Sequence, residues 1–328
     1  MLTERENALR AILGTDTPEW VPVSTECFDT VFINATALNE QPDIGQNGYD
    51  WFGCHWTYDA ASHGHAQTPG YPVPISDITQ WKEQLVFPDI ENIDWETHVK
   101  KDLANIDREN KLLRIFWVLG PFERLHTLTG FEEAFIAMYE EPEAFTELID
   151  AITDFKIRLL YKIVEHYKPD VIFTMDDLGS VNGPLMSHDM YEEMIKPAHL
   201  KFGKAIRDTG VIYEQHSDGC IQSFVGDFIE AGAQLLQPVQ GGDINDLDYI
   251  KNTYGGQITV DGALSLKTHY PETTEEELRQ EVRHVIDLFA PSKRYIFHPA
   301  SFIPGNAAIM IDEAKKYGKD YWNRHNLK

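Results

Sequence analysis

The residues best suited to chemistry cluster at Val211–Cys220, which reads Val-Ile-Tyr-Glu-Gln-His-Ser-Asp-Gly-Cys. Its start is β-branched and aromatic, as in a buried strand. Its end carries two carboxylates, an imidazole and a thiol. Glu214, His216 and Asp218 would be costly to bury together without a partner, because charged groups removed from water need pairing or a metal. The group is therefore expected to hold a divalent cation or to move protons.

The same design, an apolar stem and a titratable tip, recurs along the chain. Ile115–Leu119 leads to Glu123, Val171–Met175 to Asp176 and Asp177, and Gln234–Gln237 to Gln240. Gln257–Val260 leads to Asp261 and Arg294–Phe297 to His298, and the earlier Val21–Val23 runs into Glu26 and Cys27. Between these strands lie stretches with helical spacing: Thr3–Leu13, Phe131–Glu140, Pro142–Tyr167, Ser187–Asp208, Gln222–Ala231, Asn245–Tyr254 and a last helix from Asn306. Ser187 is a suitable N-cap, and Thr273 with Glu276 fits a capping box.

Alternating strands and helices with short connections predict a parallel sheet covered by helices. The number of strands points to a (β/α)8 TIM barrel, read as one domain over 1–328 with an N-terminal helical and loop extension. No Gly-rich dinucleotide turn follows the first strand, which weakens a Rossmann alternative. In such a barrel the strand ends and the loops after them line one mouth. Glu26, Asp176, Asp177, Glu214, His216, Asp218, Gln240, Asp261 and His298 would then meet there. Asp176 and Asp177 could instead cap backbone N–H groups, a common task for Asp. The stretch from Gly45 to Asn92 is rich in Gly, Pro and aromatic residues and reads as either a lid or a packed excursion.

Composition narrows the partners. The chain has 328 residues, 28 Lys plus Arg against 53 Asp plus Glu, and a formal net charge of −25. That balance disfavours nucleic acid and anionic lipid. No run approaches the length of a membrane span, and the N-terminal residues lack the apolar core of a secretory signal. Cys27, Cys54 and Cys220 form no disulfide framework. A reduced, cytoplasmic protein is expected, and a homodimer is one option for its assembly.

Several blocks resemble the uroporphyrinogen decarboxylase superfamily. They are Thr3-Glu-Arg-Glu with Val21-Pro-Val23, Gly48–Gly53, Asp177-Leu-Gly-Ser180, Gly183–Ser187, Met190–Pro197, His216-Ser-Asp-Gly219, Gln237-Pro-Val-Gln240, and Tyr295-Ile with Pro299-Ala-Ser301. The resemblance implies a barrel and one of two activities. These are decarboxylation of a porphyrinogen without a cofactor, and methyl transfer in corrinoid-dependent systems. The decarboxylase's Arg-rich segment would fall at Ser24–Asp29, which here is acidic. The branch that methylates thiols binds zinc through a His-x-Cys pair and a later Cys. Here His216 matches, Asp218 stands where the first Cys would be, and Ser301 replaces the second.

An oxygen- and nitrogen-rich site keeps a divalent ion a stronger Lewis acid than a thiolate-rich one. The expectation is therefore an O-demethylating methyltransferase with a divalent metal, zinc by resemblance, held by His216 with Glu214 or Asp218. Asp176 or Asp177 would act on the substrate as acid or orienting group. Glu26, Gln240, Asp261 and His298 would bind it, and the aromatic stretch Trp51–Tyr71 would cover it. No Asp-x-His-x-x-Gly motif for cobalamin is present, so the corrinoid would ride on a separate protein. The rivals are a porphyrinogen decarboxylase and a barrel that binds without turnover.

Overall fold

A computed structural model describes residues 2–33, 37–61, 63–303 and 305–327. Seven strands form one sheet in sequence order: β1 Phe28–Phe32, β2 Leu112–Trp117, β3 Val171–Met175, β4 Ile212–Ser217, β5 Leu235–Pro238, β6 Thr259–Asp261 and β7 Tyr295–Ile296. Every adjacent pair is parallel. Val23 bridges Phe297 in parallel, with Ser24 N–H donating to Phe297 O (2.9 Å) and Phe297 N–H to Pro22 O (2.8 Å). The segment 21–23 thus stands beside β7 as the eighth stave of the predicted TIM barrel. It stays short because Pro22 has no N–H for the ladder and the chain turns at once into a one-turn helix, Ser24–Cys27.

The helix Glu4–Leu13 seals the lower end. Thr3 and Glu6 form its capping box. Ala8, Ala11 and Ile12 pack against Phe28, Leu112, Val171, Ile212, Leu235 and Ile296, residues at or near the starts of successive strands. Arg5 grips Asp170, just ahead of β3, with two hydrogen bonds of 2.7 and 2.6 Å. One end of the barrel is therefore closed, and the other is left for chemistry.

Other elements differ from the sequence reading in instructive ways. The helix Pro121–Thr129 follows β2 directly, opened by a proline at its first turn where a missing N–H costs nothing. The stretch read as one helix to Asp208 is two, His188–Met194 and Lys196–Asp208, divided just before Pro197. Ser187 caps the first, as expected. The capping box is Thr274 with Glu277, one residue beyond the expected pair. Thr273 instead donates to Lys267 O.

The aromatic stretch is mostly a packed excursion. Gly48–Tyr49, His55–Asp59 and Gly64–Gln67 form a small antiparallel sheet. Trp51 and Phe52 meet Phe155, in the helix Pro142–Tyr167, edge to face at 6.0 and 5.5 Å. A buried ionic network fastens this sheet to the barrel. Arg124 binds Glu40 and Asp50, Lys156 binds Glu40 at 3.2 Å, and Trp117 and Trp56 donate to Glu40 and Asp50.

Burial alone would raise the Glu40 carboxyl, but Lys156 and Arg124 outweigh it and hold it below its ordinary range. The folded state therefore favours ionised Glu40, and this stability is lost as pH falls through the folded pKa. Breaking one partner of such a network costs about 3–5 kcal/mol. Glu40→Gln is expected to destabilise the protein by that order in denaturant titrations and to flatten the acid side of its stability profile. Unchanged stability would contradict the clamp.

Candidate functional site

Asp176 and Asp177 leave the end of β3 in different directions. The Asp176 side chain is 2% exposed and accepts from the backbone N–H groups of Phe122 (3.0 Å) and Glu123 (2.6 Å) and from His199 Nε2 (2.8 Å). It caps the helix Pro121–Thr129 from a neighbouring strand, close to the capping role considered above. The Asp177 side chain is 30% exposed, and its Oδ1 accepts the Asp218 N–H at 2.8 Å.

Two loops press together to set this contact. Gly179 lies so close to the loop after β4 that a Cβ there would sit 2.6 Å from the carbonyl oxygen of Asp218. Gly219, at φ +79, takes a left-handed conformation that glycine adopts readily. Small backbones at both positions let the loops touch.

The result is a compact triad. His216 Nε2 lies 3.7 Å from Asp177 Oδ1 and 3.8 Å from Asp218 Oδ1. One ligand atom from each of the three falls within 4.8 Å of the others, a spacing that suits a single cation. The other ring nitrogen, Nδ1, donates to Gln237 Oε1. This is the arrangement of metal-binding imidazoles, in which a bond at one nitrogen orients the other toward the ion. The donor set of one nitrogen and carboxylate oxygens, with no thiolate, fits a divalent metal. Among the described residues a second group, His188, Asp189 and Glu192, has similar spacing, but His188 Nε2 is already bound to Asp227 at 2.8 Å.

Electrostatics agree with an acidic, half-desolvated site. Burial, helped by Asp218 and Asp176, raises the Asp177 carboxyl although His216 opposes it. For His216, burial favours the neutral ring, yet Asp218, Asp177 and Gln237 outweigh it and push the imidazole up to about 9. Glu123 is also buried in this region. Burial and Asp177 raise its carboxyl far above its ordinary range.

Beside the triad opens a cavity of about 550 Å³. His216, Asp218, Gln237, Gln240 and His298 line it with the apolar Leu264, Leu266, Tyr270 and Phe302. Gln240 Oε1 accepts from Gly219 N–H at 2.8 Å, leaving its amide nitrogen uncommitted by that bond. Ser301 also lines the wall, but its hydroxyl donates to Thr268 O at 2.6 Å. Among the described residues no Lys or Arg lines this cavity.

The expected residues divide accordingly. Asp177, His216, Asp218, Gln240 and His298 converge on the mouth. Glu214 and Asp261 do not: they lie deeper in the barrel, both bound to Arg114 at 3.1 and 3.3 Å. Burial and Glu214 push the Asp261 carboxyl well above its ordinary range. A single guanidinium, stacked on Phe28 at 4.5 Å, thus serves two acids. Glu26 is elsewhere again, paired with Lys315 at 2.8 Å in a separate cavity beside Leu2, Trp20 and Asn110. It leaves the mouth because residues 24–27 form a helix rather than a strand end.

One feature escaped the sequence reading. His269 lines the mouth after a 3-10 turn, Leu266–His269, eight residues past the β6 tip. Only a search for imidazoles throughout the loops beyond the strands would have found it. Of the aromatic stretch, His63 at the tip of the small sheet comes within 6.2 Å of the ring of Phe302, which lines the mouth.

Fold and site define a β/α barrel with an acidic, imidazole-bearing mouth. The uroporphyrinogen decarboxylase (URO-D) family model matches residues 62–311, and the chain belongs to that family. Among solved structures it is similar to a methyltransferase from Methanosarcina mazei, with 15% identity, 97% of this chain and 99% of that chain covered, and a TM-score of 0.70. That likeness concerns the fold. A uronate isomerase from Bacillus halodurans also matches, at 9% identity, over 73% of this chain and 56% of that one, with a TM-score of 0.35, too low to carry an argument. No curated protein matches the chain. No helix among the described residues is long and apolar enough to cross a membrane.

If the triad binds a cation, His216 must give up a proton as the ion enters, because metal ligands bind deprotonated. With the imidazole pushed up to about 9, zinc affinity is expected to rise with pH through the neutral range. Calorimetry in buffers of different ionisation enthalpy should show net proton release. Gln237→Ala should weaken zinc binding by about ten- to a hundredfold. Equal affinity in the variant, or binding without proton release, would contradict the assignment.

Proposed function

We propose that this URO-D-family protein is a metal-assisted methyltransferase. It takes a methyl group from a small methoxylated compound and passes it to a reduced corrinoid held by a separate protein. The carrying observation is the triad Asp177, His216 and Asp218 beside a largely apolar cavity that, among the described residues, no Lys or Arg lines. A divalent ion held there supplies Lewis acidity to an ether oxygen.

The chain's own groups do the rest. Asp177 and Asp218 supply anionic oxygens, and His216, oriented by Gln237, supplies a nitrogen. Tyr270, Phe302, Leu264 and Leu266 exclude water and suit an apolar or aromatic body. His63, packed near Phe302, extends this cover. In the transfer the carbon–oxygen bond would break with its electron pair left on oxygen, which would take up a proton from water, and the corrinoid would supply the electron pair of the new bond to carbon.

Porphyrinogen decarboxylation is the second reading, favoured by the name of the family model. The site's chemistry opposes it. A substrate with many carboxylates would meet Asp218 and, among the described residues, no lining Lys or Arg, in a chain of net charge −25, and like-charge contacts of this kind cost several kcal/mol.

The test incubates zinc-loaded protein with a set of methoxylated aromatics and a reduced corrinoid protein and follows methylcorrinoid absorbance. Turnover is expected, with chelation abolishing it and Asp218→Asn lowering it by about a hundredfold. Full turnover after chelation, or metal-free decarboxylation of uroporphyrinogen, would overturn the reading.

A further inference from the structure

One polar contact at the mouth lies outside the triad. His298 follows β7 and lines the cavity, while Ser24 follows the eighth stave. The Ser24 hydroxyl and His298 Nδ1 are 2.8 Å apart, across the closure of the barrel. Either atom could donate in isolation, so the direction of this bond must come from the surroundings.

Those surroundings decide it. Ser24 is 2% exposed, and among the described residues its hydroxyl has no partner other than His298. If Nδ1–H donated to the hydroxyl, the hydroxyl's own proton would be buried without an acceptor. Buried polar groups are rarely left in that state, because an unmet donor loses its bonds to water and gains nothing. The hydroxyl therefore donates to Nδ1. Burial, aided by the charges of Arg114 and His216, pushes the His298 imidazole down to about 3, so the ring is neutral. A neutral ring that accepts at Nδ1 carries its proton at Nε2. Among the described residues Nε2 has no hydrogen-bond partner, and the residue borders the cavity.

We propose that His298 is the neutral hydrogen-bond donor that binds an oxygen atom of the substrate, and that Ser24 is the positioning residue that fixes its tautomer. At that point of the cavity a neutral N–H recognises an acceptor oxygen, such as that of an ether, hydroxyl or carbonyl group. A neutral imidazole can also steady charge developing on an oxygen without giving up its proton. This inference rests on the methyltransferase reading for the identity of the substrate. The tautomer itself does not depend on that reading.

Long-range proton–nitrogen NMR of the full chain labelled with 15N-histidine, at neutral pH, tests it. His298→Gln assigns the signals. The wild type is expected to show His298 protonated at Nε2 alone. Ser24→Thr should retain that state, and Ser24→Ala should mix the two tautomers. If Ser24→Ala does not fold, Ser24→Cys, a weaker donor, takes its place. With a methoxylated donor that supports transfer, His298→Leu should raise KM about tenfold, and His298→Gln, whose amide nitrogen overlays Nε2, should restore most of the loss. His298 protonated at Nδ1 or at both nitrogens, or a tautomer indifferent to Ser24, would overturn the proposal. Absence of any methyl transfer would overturn the functional reading and leave the tautomer result standing.

Discussion

The mouth of this barrel depends on one buried carboxylate whose hydrogen bonds all go to the scaffold. Asp176 accepts two backbone N–H groups at the start of the helix Pro121–Thr129 and a third donor from His199. Those bonds anchor the end of β3 between two helices. The next residue, Asp177, is turned outward over the loop that follows β4. Without that anchor neither Asp177 nor the Gly179 turn would be held against Asp218 and Gly219. The pair shows how adjacent identical residues divide into support and function according to which donors surround them.

Beneath the mouth, Arg114 sits with Glu214 and Asp261 inside the barrel. Isolated charges there would be prohibitive. One cation faces two acids, and Asp261 is pushed toward its protonated form. That arrangement keeps the interior near neutrality and places Arg114 where it disfavours a charged His298. The mouth above can then hold its own acids and imidazoles as a separate unit. The buried network around Glu40 and Arg124 performs the corresponding task on the flank, tying the small antiparallel sheet to the barrel.

Much of this was legible in the residue order. The helices Phe131–Glu140 and Pro142–Tyr167 and the strand Val171–Met175 have the expected bounds, because their apolar spacing is unambiguous. Convergence of Asp177, His216, Asp218, Gln240 and His298 followed from a single rule, that strand ends share a mouth. What the residues could not convey was depth along a strand. Glu214 and His216 lie two positions apart on β4, yet one binds Arg114 in the interior and the other meets solvent at the rim. Glu26 was misplaced because a four-residue helix follows the eighth stave directly. Strand β1, Phe28–Phe32, was hidden because Asp29 and Thr30 interrupt its apolar residues, and His269 by a loop without periodicity.

The account stands on Asp177, His216 and Asp218 forming one cation site. Crystals soaked in zinc and recorded at the zinc absorption edge test this most directly. A single anomalous peak is predicted between His216 Nε2 and the carboxylates of Asp177 and Asp218, at metal–ligand distances of about 2.0–2.2 Å. No peak there, or a peak only at His188, Asp189 and Glu192, would contradict it.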